Sequence, residues 1–363
     1  MHLRVSPPHR FPHSAHTSSL TSPFSRLPPP QDTTVDTAAL ADGGILLRSL
    51  VMSVDPYLRG GLKNREGLLG TGAVKGGTGE RVMSGFVAGR VEASKSDKYQ
   101  VGDLIGVSAN FSTLQILSKE TLAATLSWKL PDMVTEENIS LGVGALGMPG
   151  STAYGGFIDV LRPKKGQTIF VSAASGAVGS IVGQIAKNVY ECTVIGSCGG
   201  PEKGEIIKSR YGFDSAIDYR ALPEDKAEAL ASLTASLKEA APEGIDMYFE
   251  NVGGVHFEAS MASLRRYGRV AVCGCISGYN DAKSPANSIN IGDLIYTFQR
   301  VEGFVCMPWL SGAQGNFLED MSTWIQDGRV KTEETFFDGI ESWPDAFQSL
   351  FTGKKLGKVV VRL

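Results

Sequence analysis

The chain has 363 residues, 35 of them basic and 38 acidic, for a net charge of −3. That length suggests two domains rather than one. The balanced charge leaves no electrostatic footprint for nucleic acid or an anionic membrane, and no apolar run approaches the ~20 residues that span a bilayer.

Residues 1–31 are rich in Pro, Ser and His, carry Arg4, Arg10 and Arg26, and hold no acid before Asp32. Three readings stay open: an organellar transit peptide, a disordered tail, or a start upstream of the true one. The expected compartment is the cytoplasm, or a plastid or mitochondrion if the leader is a transit peptide. His2, His9, His13 and His16 lie here, with nothing around them ordered enough to hold a metal. Residues 32–125 read as short strands and turns: ILLRSLVMSV (45–54), RVMSGFVAGRVEAS (81–94) and VGDLIGVSANFSTLQILS (101–118) alternate or run apolar between Gly and Asp. Residues 131–161 read as helical with Gly interruptions.

From Gln167 the pattern changes. QTIFVSA is a buried strand. GAVGSIVGQIAKNVY is a helix with Val178, Ile181, Val182, Ile185, Ala186 and Val189 on one face. CTVIGSC, SAIDY, IDMYFENVG and RVAVCGCIS are further strands. EKGEIIKSRYGF, PEDKAEALASLTASLKEAAP and HFEASMASLRRYG are the helices between them. Strands alternating with helices imply a parallel sheet covered on both faces. The end of the chain reads helix (317–328), strand (333–340), helix (343–353), strand (358–363). That order either extends the parallel sheet or returns to the β-rich module. The expected division is a leader (1–31), a β-rich domain (32–150 and 312–363) and a dinucleotide-binding domain (151–311).

The five cysteines, Cys192, Cys198, Cys273, Cys275 and Cys306, match no disulfide framework and read as free thiols. Cys273-Gly-Cys275 lies in an apolar run and reads as a buried strand end rather than a redox centre.

The strongest chemical signal is Ala173-x-x-Gly176-x-x-Gly179, after a strand and opening a helix. Backbone N–H groups at a helix start hold a pyrophosphate, and the helix dipole favours the anion. Gly176 lets the backbone approach the phosphates, and Gly179 lets helix and strand pack closely. Ala173 stands where the usual fingerprint has its first glycine. The second strand ends Gly196-Ser197-Cys198-Gly199-Gly200, without the acid that holds an NAD ribose. Lys203 follows at the next helix start and Tyr219 ends the third strand. A cation and a hydroxyl there suit a 2′-phosphate, so the expected cofactor is NADPH. Between Gln31 and Tyr190 there is no Cys and no His, which excludes a Cys/His zinc site in the β-rich module. His256 alone cannot make one and reads as a surface or helix-start histidine. No metal is expected.

MSVDPYLRG (52–60), GMPGSTAYGGF (147–157), VSAASGAVGSIVGQIAK (171–187), YGFDSAIDY (211–219), YFENVGG (248–254) and GRVAVCGCISGYN (268–280) together resemble the zinc-independent alkenal/one reductase group of the medium-chain dehydrogenase/reductase superfamily. That group includes plant 2-alkenal reductases and mammalian prostaglandin reductases. The resemblance covers residues 42–363. It implies an α/β fold, a doubly wound Rossmann sheet plus a GroES-like β-rich catalytic domain, and NADPH-dependent reduction of the C=C bond of α,β-unsaturated aldehydes and ketones. It places Ser175, Gly176, Ala177 and Val178 at the pyrophosphate. Gly199, Lys203 and Tyr219 fall at the adenosine ribose phosphate, and Asn251, Cys273, Tyr279, Phe304, Val305 and Cys306 at the nicotinamide half. Tyr57 faces the substrate. A small molecule is the expected partner, and the chain is a homodimer or monomer. Lys355 stands where the group often has Asn in Gly-x-Asn-x-Gly-Lys.

Charge developing on the substrate carbonyl oxygen calls for a donor, as an oxyanion hole does. Tyr57 and Tyr279 are the candidates, although Tyr57 also suits a turn aromatic after Pro56. Two other readings remain: a quinone reductase of the same superfamily, or a non-catalytic NADPH-binding sensor.

Overall fold

The computed structural model describes residues 40–59, 83–280, 289, 291–353 and 355–363, with the backbone alone of 4–5, 74–75 and 81–82. The leader therefore lies outside the described residues, apart from a two-residue strand Arg4–Val5, as does most of the loop 60–80. The chain forms two compact units: residues 1–143, 336–352 and 360–363, and residues 144–335 and 353–359.

In the first unit β1 (Ile45–Ser53), β2 (Ser84–Ser94), β3 (Leu104–Asn110), β4 (Leu114–Leu117) and β5 (Ser127–Lys129) pair antiparallel. Alternating side chains bury Ile45, Leu47, Met52, Val87, Ile105 and Val107 completely or nearly so. Gly106 is needed under the Trp128 ring, where a Cβ would overlap the indole.

The second unit holds six strands: β6 (Thr168–Val171), β7 (Thr193–Cys198), β8 (Ser215–Asp218), β9 (Ile245–Glu250), β10 (Leu264–Val272) and β11 (Arg300–Gly303). All are parallel, in the order β8-β7-β6-β9-β10-β11. Helices α1 (Gly179–Asn188), α2 (Pro201–Ser209), α3 (Lys226–Ala240) and α4 (Val255–Ser263) connect them. Ile181, Val182, Ile185 and Ala186 of the predicted face of α1 are buried, Val178 and Val189 only partly, and Ser180, Gly183 and Gln184 off that face are buried as well. Leu233 and Leu237 of α3 pack with Phe170, Ile195 and Tyr248 in one core cluster. Each such side chain contributes roughly 1.5–3 kcal/mol.

Two boundaries and one whole strand differ most from the sequence reading. Helix α1 opens at Gly179, because residues 172–178 are spent on the turn before it. Helix α4 stops at Ser263, and 264–268, read as helix, is strand: Leu264 pairs with Ile245, with a register shift along the ladder. The sixth strand, β11, had no sequence signal. The chain's last two strands, β12 (Glu334–Asp338) and β13 (Lys358–Arg362), join the antiparallel sheet, where Val360 pairs with Ser53 of β1. This settles the open alternative in favour of the β-rich module. Between them lie α5 (Trp343–Thr352) and a short strap, residues 353–359, that visits the second unit.

Candidate functional site

Every candidate residue of the second unit follows the carboxyl end of a parallel strand. The chain order reverses between β6 and β9, which is where open α/β sheets bind ligands. Ala173–Gly179 follows β6, Gly199 and Lys203 follow β7, and Tyr219 follows β8. Asn251 follows β9, Cys273 and Tyr279 follow β10, and Phe304, Val305 and Cys306 follow β11.

The turn after β6 is tight. Gly176 N–H donates to Ala173 O at 2.9 Å, and Ser180 N–H to Gly176 O at 3.0 Å. A Cβ on Gly179 would sit 2.5 Å from Ala173 O, so only glycine allows this approach. Ala173 itself has φ +50°, in the left-handed region that favours the glycine it replaces. No side chain caps the start of α1, where Val178 is the N-cap. Backbone oxygens of Gly176 and Val178 already accept from Ser180, Ile181 and Val182 N–H, and Ser175, Gly176, Ala177 and Val178 form the turn that leads into the helix.

At the tip of β7, the phenol oxygen of Tyr219 and the guanidinium of Arg220 both come within 3 Å of the place a Gly199 Cβ would take. Asp218 is occupied by backbone: its Oδ1 accepts from Gly200 N–H at 2.8 Å and Arg220 N–H at 2.9 Å. Lys203 is half-buried, and its ammonium pKa is lowered, first by burial and then by the Arg220 charge. Two cations side by side at a strand tip suit an anion. His256, read as a surface or helix-start residue, is at the start of α4 but buried. Its Nε2 pairs with Ser197 Oγ at 2.8 Å, and its ring meets Tyr219 edge-on. Burial drops its pKa to about 4, so it is neutral at physiological pH.

Beyond β9 a polar network fixes the backbone. Asn251 Nδ2 donates to Ser172 O at 2.7 Å and its N–H to Ser172 Oγ at 2.9 Å. This turns Asn251 Oδ1 toward Cys273, whose Sγ–H donates to it at 3.0 Å. Burial raises the Cys273 pKa, with the Glu250 charge second. Glu250, buried, accepts through Oε1 from Tyr248 Oη at 2.8 Å, Val252 N–H at 2.5 Å and Gly253 N–H at 2.9 Å. The Tyr279 hydroxyl accepts from the Cys275 backbone, and burial pushes its pKa up to about 12. Phe304 packs edge-on against Phe249 and Trp309, leaving Val305 exposed and Cys306 buried. All five cysteines are free of disulfides.

Tyr57 belongs to the first unit. It sits half-buried in the turn Asp55–Leu58, closed by Leu58 N–H to Asp55 O at 3.2 Å. Among the described residues no group of His, Cys, Asp and Glu has the arrangement of a metal site.

A unit with a doubly wound parallel sheet and a unit with an antiparallel β-rich sheet, in one chain, make up the Rossmann-plus-GroES-like architecture of the medium-chain dehydrogenases/reductases. Comparison with known proteins agrees. Residues 177–323 match the family "Zinc-binding dehydrogenase" and residues 30–125 the family "N-terminal domain of oxidoreductase". The chain is 38% identical to prostaglandin reductase 1 of Bos taurus, over 91% of this chain and 92% of that one. It is 39% identical to the NADP(+)-dependent 2-alkenal reductase of Nicotiana tabacum, over 87% and 86%. The crystal structure of CurA from Vibrio vulnificus in complex with NADPH superposes with a TM-score of 0.77 at 34% identity, covering 92% and 93%. The chain belongs to the alkenal/one oxidoreductase family, that of the 2-alkenal and prostaglandin reductases.

Sequence reasoning missed Arg220, Glu250 and the strap. A cation beside Tyr219 was visible as a neighbour in the sequence. The roles of Glu250 and the strap depend on contacts that no local pattern carries.

Proposed function

We propose that the chain is an NADPH-dependent reductase of the carbon–carbon double bond of α,β-unsaturated aldehydes and ketones. The parallel-sheet unit is the NADP-binding domain and the β-rich unit the catalytic one. The observation that carries the reading is the strand tip where Tyr219 and Arg220 flank Gly199 and the Lys203 ammonium lies near the Arg220 charge. These residues fit a 2′-phosphate, and the close glycine turn at the start of α1 fits the pyrophosphate. Ser175, Gly176, Ala177 and Val178 are assigned to that pyrophosphate. Asn251, Cys273 and Phe304–Cys306 are assigned to the nicotinamide half.

When bound, NADPH supplies a hydride to the β-carbon of the enone. The protein's part is to orient the substrate and to meet charge as it grows on the carbonyl oxygen. Tyr279 is assigned as a donor there. Its oxygen already accepts from Cys275, which leaves its own O–H to donate, and its raised pKa keeps it protonated. Tyr57 is the second assigned donor. With Tyr279 held so firmly protonated, the proton for the α-carbon is assigned to water. No metal enters the scheme.

We also assign a homodimer rather than a monomer. Among the described residues β11 is an edge strand of its sheet, and Tyr296 and Phe298 beside it are 80% and 50% exposed. Sedimentation equilibrium separates the two.

The test of the activity is a panel of enals, enones and quinones assayed with NADPH and with NADH. Saturated carbonyl products made with NADPH are expected. Turnover of quinones alone, or NADPH binding without turnover of any acceptor, overturns the reading.

A further inference from the structure

The chain leaves the parallel-sheet unit after Thr335 and re-enters it only for residues 353–359. That strap touches both ends of the adenosine-side apparatus. At one end Gly357 N–H donates to Ser175 O at 2.9 Å, and Gly357 forms a parallel bridge with Gly176 of the phosphate turn. At the other, Gly353 O accepts from Lys203 Nζ at 2.8 Å and from Arg220 Nη2 at 3.4 Å. Lys355 O accepts from the same Lys203 Nζ at 2.5 Å.

One backbone carbonyl thus bridges two cations that otherwise repel. Among the described residues neither cation forms an ion pair, and Asp218 Oδ1 accepts from the backbone N–H groups of Gly200 and Arg220. Gly353 has φ +71°, and a methyl there would run into the Arg220 guanidinium. Glycine is required by the backbone conformation, and a methyl there would push the flexible end of Arg220 out of its place. An exposed arginine has many rotamers, and ordering it costs entropy. The strap carbonyl meets part of that cost before any ligand arrives.

We propose that the strap is part of the cofactor-selecting apparatus: the Gly353 carbonyl aligns Arg220 beside Lys203, and Arg220 so held distinguishes a 2′-phosphate from a 2′-hydroxyl. The inference rests on the NADPH reading above and adds to it a selecting residue and the backbone element that positions it.

The test measures binding, so it does not depend on turnover. The full chain is titrated calorimetrically at low salt with 2′,5′-ADP and with 5′-ADP, as wild type, Arg220→Gln and Gly353→Ala. Each variant is expected to bind 2′,5′-ADP about tenfold more weakly, equivalent to ~1.4 kcal/mol. Each binds 5′-ADP within about twofold of wild type, and the deficit shrinks as salt rises. Unchanged 2′,5′-ADP affinity in Arg220→Gln overturns the role of Arg220. A loss in Arg220→Gln without one in Gly353→Ala overturns the role of the strap. Equal loss of both ligands overturns 2′-phosphate selection altogether. Failure to reduce enones, by contrast, would sink the activity and leave this result untouched.

Discussion

Replacing Glu250 by Ala is expected to destabilise the chain by about 3 kcal/mol and to weaken NADPH binding. Glu250 Oε1 accepts from the N–H groups of Val252 and Gly253 and from Tyr248 Oη. Alanine leaves the buried Gly253 N–H and the part-buried Val252 N–H without that acceptor, at ~1–3 kcal/mol for the first and less for the second. Tyr248 retains Ser172 Oγ at 3.0 Å and loses less. Relief of the buried carboxyl offsets part of this, because burial is the first cause of its raised pKa. The same fact sets a pH dependence. An unfolded Glu titrates near ~4.3. From there up to its raised folded value, folding takes up a proton, so this group's contribution to stability falls as pH rises. Glu250→Gln removes that slope. Urea unfolding of wild type, Glu250→Ala and Glu250→Gln between pH 4 and 8 reads both effects. Glu250→Ala within 1 kcal/mol of wild type would refute the hydrogen-bond argument. Parallel pH curves for wild type and Glu250→Gln would refute the burial argument.

Other outcomes follow from the same geometry. Tyr279→Phe removes the assigned donor and is expected to cut kcat/KM about 10²-fold, in line with loss of one oxyanion donor; steady-state kinetics with a simple enone checks it. Tyr57→Phe is expected to act in the same direction, and unchanged kcat/KM in both variants would end the donor assignment. Lys203→Ala should raise the KM for NADPH at least tenfold while leaving that for NADH nearly unchanged, as parallel titrations of the two cofactors would register. Gly357→Ala forces a side chain onto φ +63° and into the Glu333 carbonyl. A loss of ~2 kcal/mol or more in a urea midpoint is expected, together with weaker NADPH binding through Ser175.

What was legible in the sequence was local. The phosphate turn announces itself because glycine is the residue that close backbone approach demands, and Gly179 under Ala173 O is that approach. The missing acid after β7 was readable as an absence at a known offset. Period picked out the apolar side chains of α1 that are buried, but not that Ser180, Gly183 and Gln184 between them are buried too. β11 was not legible: Arg300-Val301-Glu302-Gly303 is short and half charged, and its pairing with β10 decides its state. The end of α4 was misplaced because LRRYG has no helix breaker before Gly268, and the ladder to β9 overrides its propensity. The burial of His256 depends on Ser197, 59 positions away in the chain. The strap's grip on Lys203 spans 150 positions. Such contacts have no period and no motif.

The central claim is reduction of the alkene rather than of the carbonyl. It is tested most directly with NADPH deuterated at C4 of the nicotinamide and a simple enone, reading the product by NMR. The account predicts a saturated ketone with deuterium on the β-carbon. Deuterium on the carbonyl carbon of an allylic alcohol, or none transferred at all, would contradict it.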